Sequence, residues 1–193
     1  FIFFTFCANY ILYNDTLYYE SFKEILGVDR ITQIIEQQRF FQMIGYGIIP
    51  LLILLRTFYT AICLITGVFL FEQNLRFSQC FNIAIKADVI FLLELIVKIN
   101  YFSIVEVNSL QEINTRLFSV LQWVGTNNVE QWLLYPISIL NIFELIYCIL
   151  LALLLSNYTK KSFIKSLTFV SKTYLIGLFL WAIFIMYIIL FLF

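Results

Sequence analysis

Histidine is absent from the 193 residues, and charged residues make up only 12% of them. Without histidine there is no Ser-His or Cys-His nucleophile pair, no imidazole general base, no imidazole metal ligand and no axial histidine for haem. Proline occurs twice and glycine six times, so strong punctuation of the chain is sparse. The four cysteines, Cys7, Cys63, Cys80 and Cys148, lack CxxC spacing, which argues against zinc and iron-sulfur sites. Motifs of the forms GxGxxG, GxxxxGK[ST], GxSxG and HExxH are also missing. Twelve Lys and Arg balance twelve Asp and Glu, leaving no net positive charge for a phosphate backbone, so nucleic acid is not expected as a partner. No cofactor or metal is expected either.

What the chain has in excess is apolar surface. Hydrophobic residues reach 62% and aromatics 19%, against about 45–50% apolar in an average soluble domain. The lipid bilayer is therefore the expected environment. The opening stretch 1–13 (FIFFTFCANYILY) is apolar but short of the roughly 20 residues that a spanning helix needs. It reads as the end of a first transmembrane helix that begins upstream, with a short re-entrant or interfacial segment as the alternative. Residues 14–43 form a polar extracytoplasmic segment; 14–42 carry five acidic and three basic residues. Ile31, Ile34, Ile35 and Phe41 recur there at roughly helical spacing, and Asp29 stands where an N-cap residue would, so an amphipathic helix is expected. It would lie at the membrane surface or pack on the other spans.

Residues 44–193 read as a four-helix transmembrane domain. The expected spans are 44–71, with Arg56 inside it and Pro50 in its first turns; 81–105, with Lys86, Asp88, Glu94 and Lys98; 133–155, with Glu144; and 167–193, with Lys172 and Trp181. Polar links separate them at 72–80, 106–132 and 156–166, with a turn expected at 125–128 and Trp123 and Trp132 suited to an interfacial aromatic belt. Lys160, Lys161 and Lys165 place the last link in the cytoplasm by the positive-inside rule, which puts the C-terminus outside. Asn14-Asp15-Thr16 and Asn157-Tyr158-Thr159 fit the glycosylation acceptor pattern, and this topology leaves only the first accessible to modification. The fold class expected is an all-α integral membrane bundle of four complete transmembrane helices plus a truncated N-terminal fifth.

A charge at the bilayer centre costs about 2.5–3.5 kcal/mol on insertion scales and usually pairs inside the bundle. Lys86 and Asp88 lie near a span end and are expected to snorkel to the headgroups. Arg56, Glu94, Lys98 and Glu144 lie deeper and sum to zero charge, so they form the candidate intramembrane charge network. Glu94 and Lys98 share a helical face at i, i+4, while Arg56 and Glu144 fall near mid-depth of parallel spans and are candidate cross-helix partners. Pairing that fixes helix register is one reading; a polar pathway for a proton, ion or small solute is the other. Transporter sites favour discontinuous helices with Gly or Pro breaks, and Pro50 and Pro136 both lie near span ends, which weighs against transport. Catalysis by an intramembrane carboxylate pair is not expected, since no Asp reads as deep. Gly45, Gly47 and the surroundings of Gly67 would allow close helix approach.

The link leading into FSQCFNIAIKADVIFLL, then LFSVLQWV, ILNIFELIYCILLALLL and SNYTKKSFIKSLTFVSKTYLIGLFLW, resemble the Yip-type membrane domain of Rab-interacting and Yip-like polytopic proteins, over Phe77 to Phe193. The resemblance implies five helices, a cytoplasmic N-terminus, an outside C-terminus and a non-enzymatic role. The 14–42 stretch is long for that family, and the cytoplasmic N-terminal motifs of its eukaryotic members are missing. The Phe, Ile and Asn usage suggests an AT-rich bacterial or organellar genome. The function expected is that of a scaffold or accessory subunit in a bacterial inner membrane, with an organellar membrane or an endomembrane as the alternative location, partnered by other membrane subunits, and with a small-solute or ion permease component as the alternative function.

Overall fold

The computed structural model describes residues 1–12, 15–23, 26–105, 117–125 and 129–192. The acceptor Asn14, residues 126–128 of the turn expected at 125–128, and the charges Glu106, Glu112 and Arg116 lie outside these residues. The described chain is all-helical, in the order α1 Ile2–Leu12, α2 Asp15–Phe22, α3 Val28–Leu70, α4 Phe77–Ala87, α5 Val89–Ile104, α6 Val120–Val124, α7 Gln131–Ile139, α8 Ile142–Thr159, α9 Phe163–Val170, a π-helical stretch Ser171–Leu175 and α10 Ile176–Leu192. Three helical runs are long and apolar enough to cross a membrane: Val28–Leu70, Ile142–Thr159 and Phe163–Leu192.

The helix boundaries depart from the expected spans in ways that have local causes. The amphipathic helix and the first complete span merge into the 43-residue α3, since neither Pro nor Gly punctuates 28–44, and Pro50 is absorbed within the helix. At about 1.5 Å per residue α3 is roughly twice as long as the hydrocarbon core is thick. Asp29 is not its N-cap: the Gly27 carbonyl accepts from Arg30 and Ile31 N–H at 3.0 and 3.1 Å. Asp29 sits in the first turn instead, where the helix dipole favours a carboxylate. The stretch 81–105 is interrupted at Asp88, where a tight turn (φ −59°, ψ −14°) separates α4 from α5. The stretch 133–155 is broken at Leu140 and Asn141, and α8 runs on to Thr159.

The chain divides into two compact units, Phe1–Leu54 with Leu92–Thr115, and Leu55–Phe91 with Arg116–Phe193. In the first, Ala8 and Leu17 pack with Leu95, Ile99 and Phe102, and Tyr18, Ile31 and Ile35 form a second cluster with Tyr19, Phe22, Leu26 and Ile34. The isoleucines of the expected amphipathic face are thus inward, but Phe41 is exposed. Arg39 donates to both oxygens of Asp15 at 2.9 and 2.8 Å.

The second unit is built on helical stripes. Thr57, Thr60, Ala61, Leu64 and Val68 on α3 are buried, as are Cys80, Ile83, Ala84 and Ala87 on α4, and Phe143, Glu144, Tyr147, Cys148, Leu151, Ala152 and Leu155 on α8. Spacings of three and four residues put each set on one face. Small residues let the backbones close in: a Cβ on Gly67 would meet Thr173 Cγ2 at 2.1 Å and the Phe169 ring at 2.8 Å, and one on Gly177 would meet Cys63 Sγ at 2.5 Å. Gly45 and Gly47 do not serve this role, having nothing within 4 Å of a built Cβ.

Gly67→Ala is therefore expected to destabilise the second unit by about 1–3 kcal/mol through overpacking, whereas Gly45→Ala should leave stability unchanged or raise it by up to about 1 kcal/mol. Thermal unfolding of the two variants in a mild detergent checks the difference; equal midpoints would contradict the close approach at Gly67.

Candidate functional site, a buried ionic cluster

Inside the second unit one guanidinium meets two buried carboxylates among apolar helices. Arg56 comes from α3, Asp88 from the turn between α4 and α5, and Glu144 from the first turn of α8. Asp88 is 2% exposed and Glu144 6%. Arg56 Nη2 lies 3.4 Å from Glu144 Oε2 in an ion pair, and the guanidinium stacks over the Phe91 ring at 3.2 Å from its centroid, with the Tyr147 ring at 5.0 Å. Stacking on two rings lets a weakly hydrated guanidinium sit inside apolar packing.

Each carboxylate has a hydroxyl donor. Tyr174, carried by the π-helical stretch, donates to Glu144 Oε1, and Thr57 donates to Asp88 Oδ2. One turn along α3, Thr60 Oγ1 accepts from the Tyr147 phenol at 3.1 Å. The Tyr147 ring lies 5.1 Å from Phe91 and 5.3 Å from Tyr174, so the aromatic groups enclose the charges.

The backbone cooperates with this arrangement. At the break before α8 the Asn141 side chain accepts from Glu144 N–H at 2.8 Å, an N-cap that starts a new helix inside the stretch expected to be continuous. Glu144 therefore stands at a helix N-terminus, where the dipole favours its charge, and not at mid-helix. The groups freed at the break find partners: Val120 N–H donates to the Leu140 carbonyl at 3.0 Å, and Asn141 N–H to the Ile139 carbonyl at 2.8 Å.

Of the four expected network residues, Arg56 and Glu144 meet here, while Glu94 and Lys98 lie on α5 within the first unit. Asp88 does not snorkel: Thr57 offers it a donor inside the unit, and it is buried there. Lys86 does stay exposed, its Nζ 5.9 Å from the Tyr158 ring centroid. Sequence reasoning missed Asp88, Thr57, Thr60, Tyr147 and Tyr174. The signal available was spacing, since Thr57 and Thr60 share a face next to Arg56 and Tyr147 follows Glu144 by three residues. Among the described residues no group of three His, Cys, Asp or Glu could hold a metal ion.

Comparison with protein-family models, curated proteins and solved structures finds no match to this chain. The class that the structure itself supports is a protein that is all-helical over the described residues, three of whose helices there are long and apolar enough to cross a membrane.

Arg56→Met should cost about 3–5 kcal/mol, because it leaves buried carboxylates without their counter-charge. Tyr174→Phe should cost less, about 1.5–3 kcal/mol, the loss of one hydrogen bond to a charged group. Unfolding of both variants in detergent orders the two effects; a silent Arg56→Met would contradict the cluster.

Proposed function

We propose that this chain is a non-catalytic integral membrane protein, a scaffold or accessory subunit of a larger membrane complex, of the Yip-like kind its sequence resembles. The reading takes 81–105, helical apart from the turn at Asp88, as a further span, and α1 as the end of a fifth, in a bacterial cytoplasmic membrane. The observation that carries it is the distribution of polar and apolar surface. The buried charges of the second unit, Arg56, Asp88 and Glu144, are gathered in one cluster, while the run Phe163–Leu192 has only 6% of its most apolar window buried, against 39% for Ile142–Thr159. A nearly bare apolar helix on a rigid internal frame is suited to lie against lipid or against the spans of other subunits.

A small-solute or ion permease component is the second reading, favoured by the two helix breaks. The turn at Asp88 and the break at Leu140–Asn141 both bring polar groups to Arg56, and discontinuous helices are a recurring feature of transporter sites. The lack of Gly or Pro at the break is no obstacle, since Asn141 makes it by capping.

Tagged purification in a mild detergent, with native mass and identification of bound chains, decides between them. The scaffold reading expects recovery in fixed proportion with other membrane subunits, and expects Glu144→Gln or Glu94→Gln to alter assembly and abundance more than any flux. Recovery alone, with solute- or proton-dependent signals in reconstituted vesicles that Glu144→Gln abolishes, would replace it with the permease.

A further inference from the structure

The buried cluster does not balance. Asp88 and Glu144 together carry two potential negative charges, and Arg56 supplies one positive charge. No other cation in the second unit's described residues supplies the missing charge. Lys86, on the helix that leads into Asp88, is exposed near the Tyr158 ring, and Lys172, on the π-helical stretch, is exposed with its Nζ 5.8 Å from the Phe71 ring centroid. The remaining titratable groups are neutral in their ordinary state: Tyr147 from α8 beside Asp88, and Cys148 from α8 and Tyr174 from the π-helical stretch beside Glu144 and Arg56. Glu94 and Lys98 belong to the other unit. A net charge of −1 in an apolar surrounding is the arrangement that proteins avoid by taking up a proton.

A second observation locates the deficit. Asp88 Oδ2 accepts from Thr57, but Oδ1 is buried with no partner in hydrogen-bond geometry: the Tyr147 phenol lies beside the carboxyl group, but its one proton is given to Thr60 Oγ1 at 3.1 Å. A bare carboxylate oxygen sealed from water leaves lone pairs unmet, at the full desolvation cost of an ionised group. Glu144, by contrast, has the guanidinium, a phenol donor and a helix N-terminus. The two carboxyls interact with each other as well as with Arg56, so one guanidinium is shared between two acids.

We infer that the Asp88–Glu144 carboxyl pair is a binding site for a single proton, held because two carboxylates share one guanidinium. Binding forms one O–H bond on a carboxylate oxygen, and release breaks it and returns the proton to solvent base; no electrons move. The proton resides chiefly on Asp88, and its presence makes the cluster neutral. The inference rests on charge balance and burial, and holds whether the protein is a scaffold or a permease.

Infrared spectroscopy of the full chain in lipid nanodiscs tests it, using the carboxylic acid C=O band that shifts on exchange into D2O. At pH 7 the wild type should show such a band of one group's area, which disappears on titration to alkaline pH. Asp88→Asn and Glu144→Gln should each lose the band, because either substitution leaves one carboxylate for one guanidinium. Arg56→Gln should double it. A wild type without the band overturns the proposal, and so does a band that survives Glu144→Gln, which would mean that Asp88 is neutral through burial alone. Should a variant fail to fold, the wild-type titration still decides whether the proton is there.

Discussion

A guanidinium placed among apolar helices must find its counter-charge there, and much of the second unit is arranged around that requirement. Arg56 cannot be neutralised by losing a proton, so its surroundings have to adapt. Three local irregularities do so: the tight turn that holds Asp88, the helix restart at Asn141 that holds Glu144, and the π-helical stretch that holds Tyr174. Isolated π stretches and broken helices leave backbone groups to be satisfied elsewhere. Each of these carries a side chain that partners the cluster, which is a reason for tolerating it.

Packing and electrostatics divide the work between them. Ala61, Leu64, Ala84, Ala87, Leu151 and Ala152 are fully buried, and Gly67 and Gly177 allow neighbouring segments to approach more closely than a Cβ would permit. Such contacts gain dispersion energy but discriminate weakly between one rotation of a helix and the next. The cluster supplies the discrimination: turning α8 by one residue would take Glu144 from Arg56, Tyr147 from Thr60 and the Tyr174 phenol from its acceptor. Polar groups in an apolar core set register in this way even where their net contribution to stability is small.

The legible part of the fold was the part written in composition and hydropathy. The apolar runs 44–71, 133–155 and 167–193 overlap the three helices long enough to cross a membrane, Val28–Leu70, Ile142–Thr159 and Phe163–Leu192, and the rarity of charge in the first two runs singles out Arg56 and Glu144. The boundaries were harder, because the breaks use neither proline nor glycine. Asn141-Ile142-Phe143-Glu144 is a cap residue followed by an acid three positions on, the pattern of a helix start, but inside an apolar run it passes for interruption by chance. Asp88 differs from its expected place for another reason: position along a span stands in for depth in a sequence, whereas the partner that decides its burial, Thr57, lies 31 residues away. Tyr147 and Tyr174 were invisible in a chain with twelve tyrosines, since only tertiary structure tells a hydrogen-bonded phenol from a packing ring.

The position of the charges at helix breaks has a consequence that a mid-helix ion pair would not have. Glu144 is held by its side chain to Arg56 and Tyr174 and by its own N–H to the Asn141 cap. Asp88 is held by Thr57, and its backbone N–H and carbonyl close the turn, to the Ala84 carbonyl and from the Phe91 N–H. Phe91, fixed by that turn, is the ring on which Arg56 stacks. Side-chain charge and backbone direction are therefore joined at both breaks. A change in the cluster's charge alters the forces on the residues that set where α5 departs and where α8 begins, whereas in an unbroken helix the backbone ladder would absorb the same change.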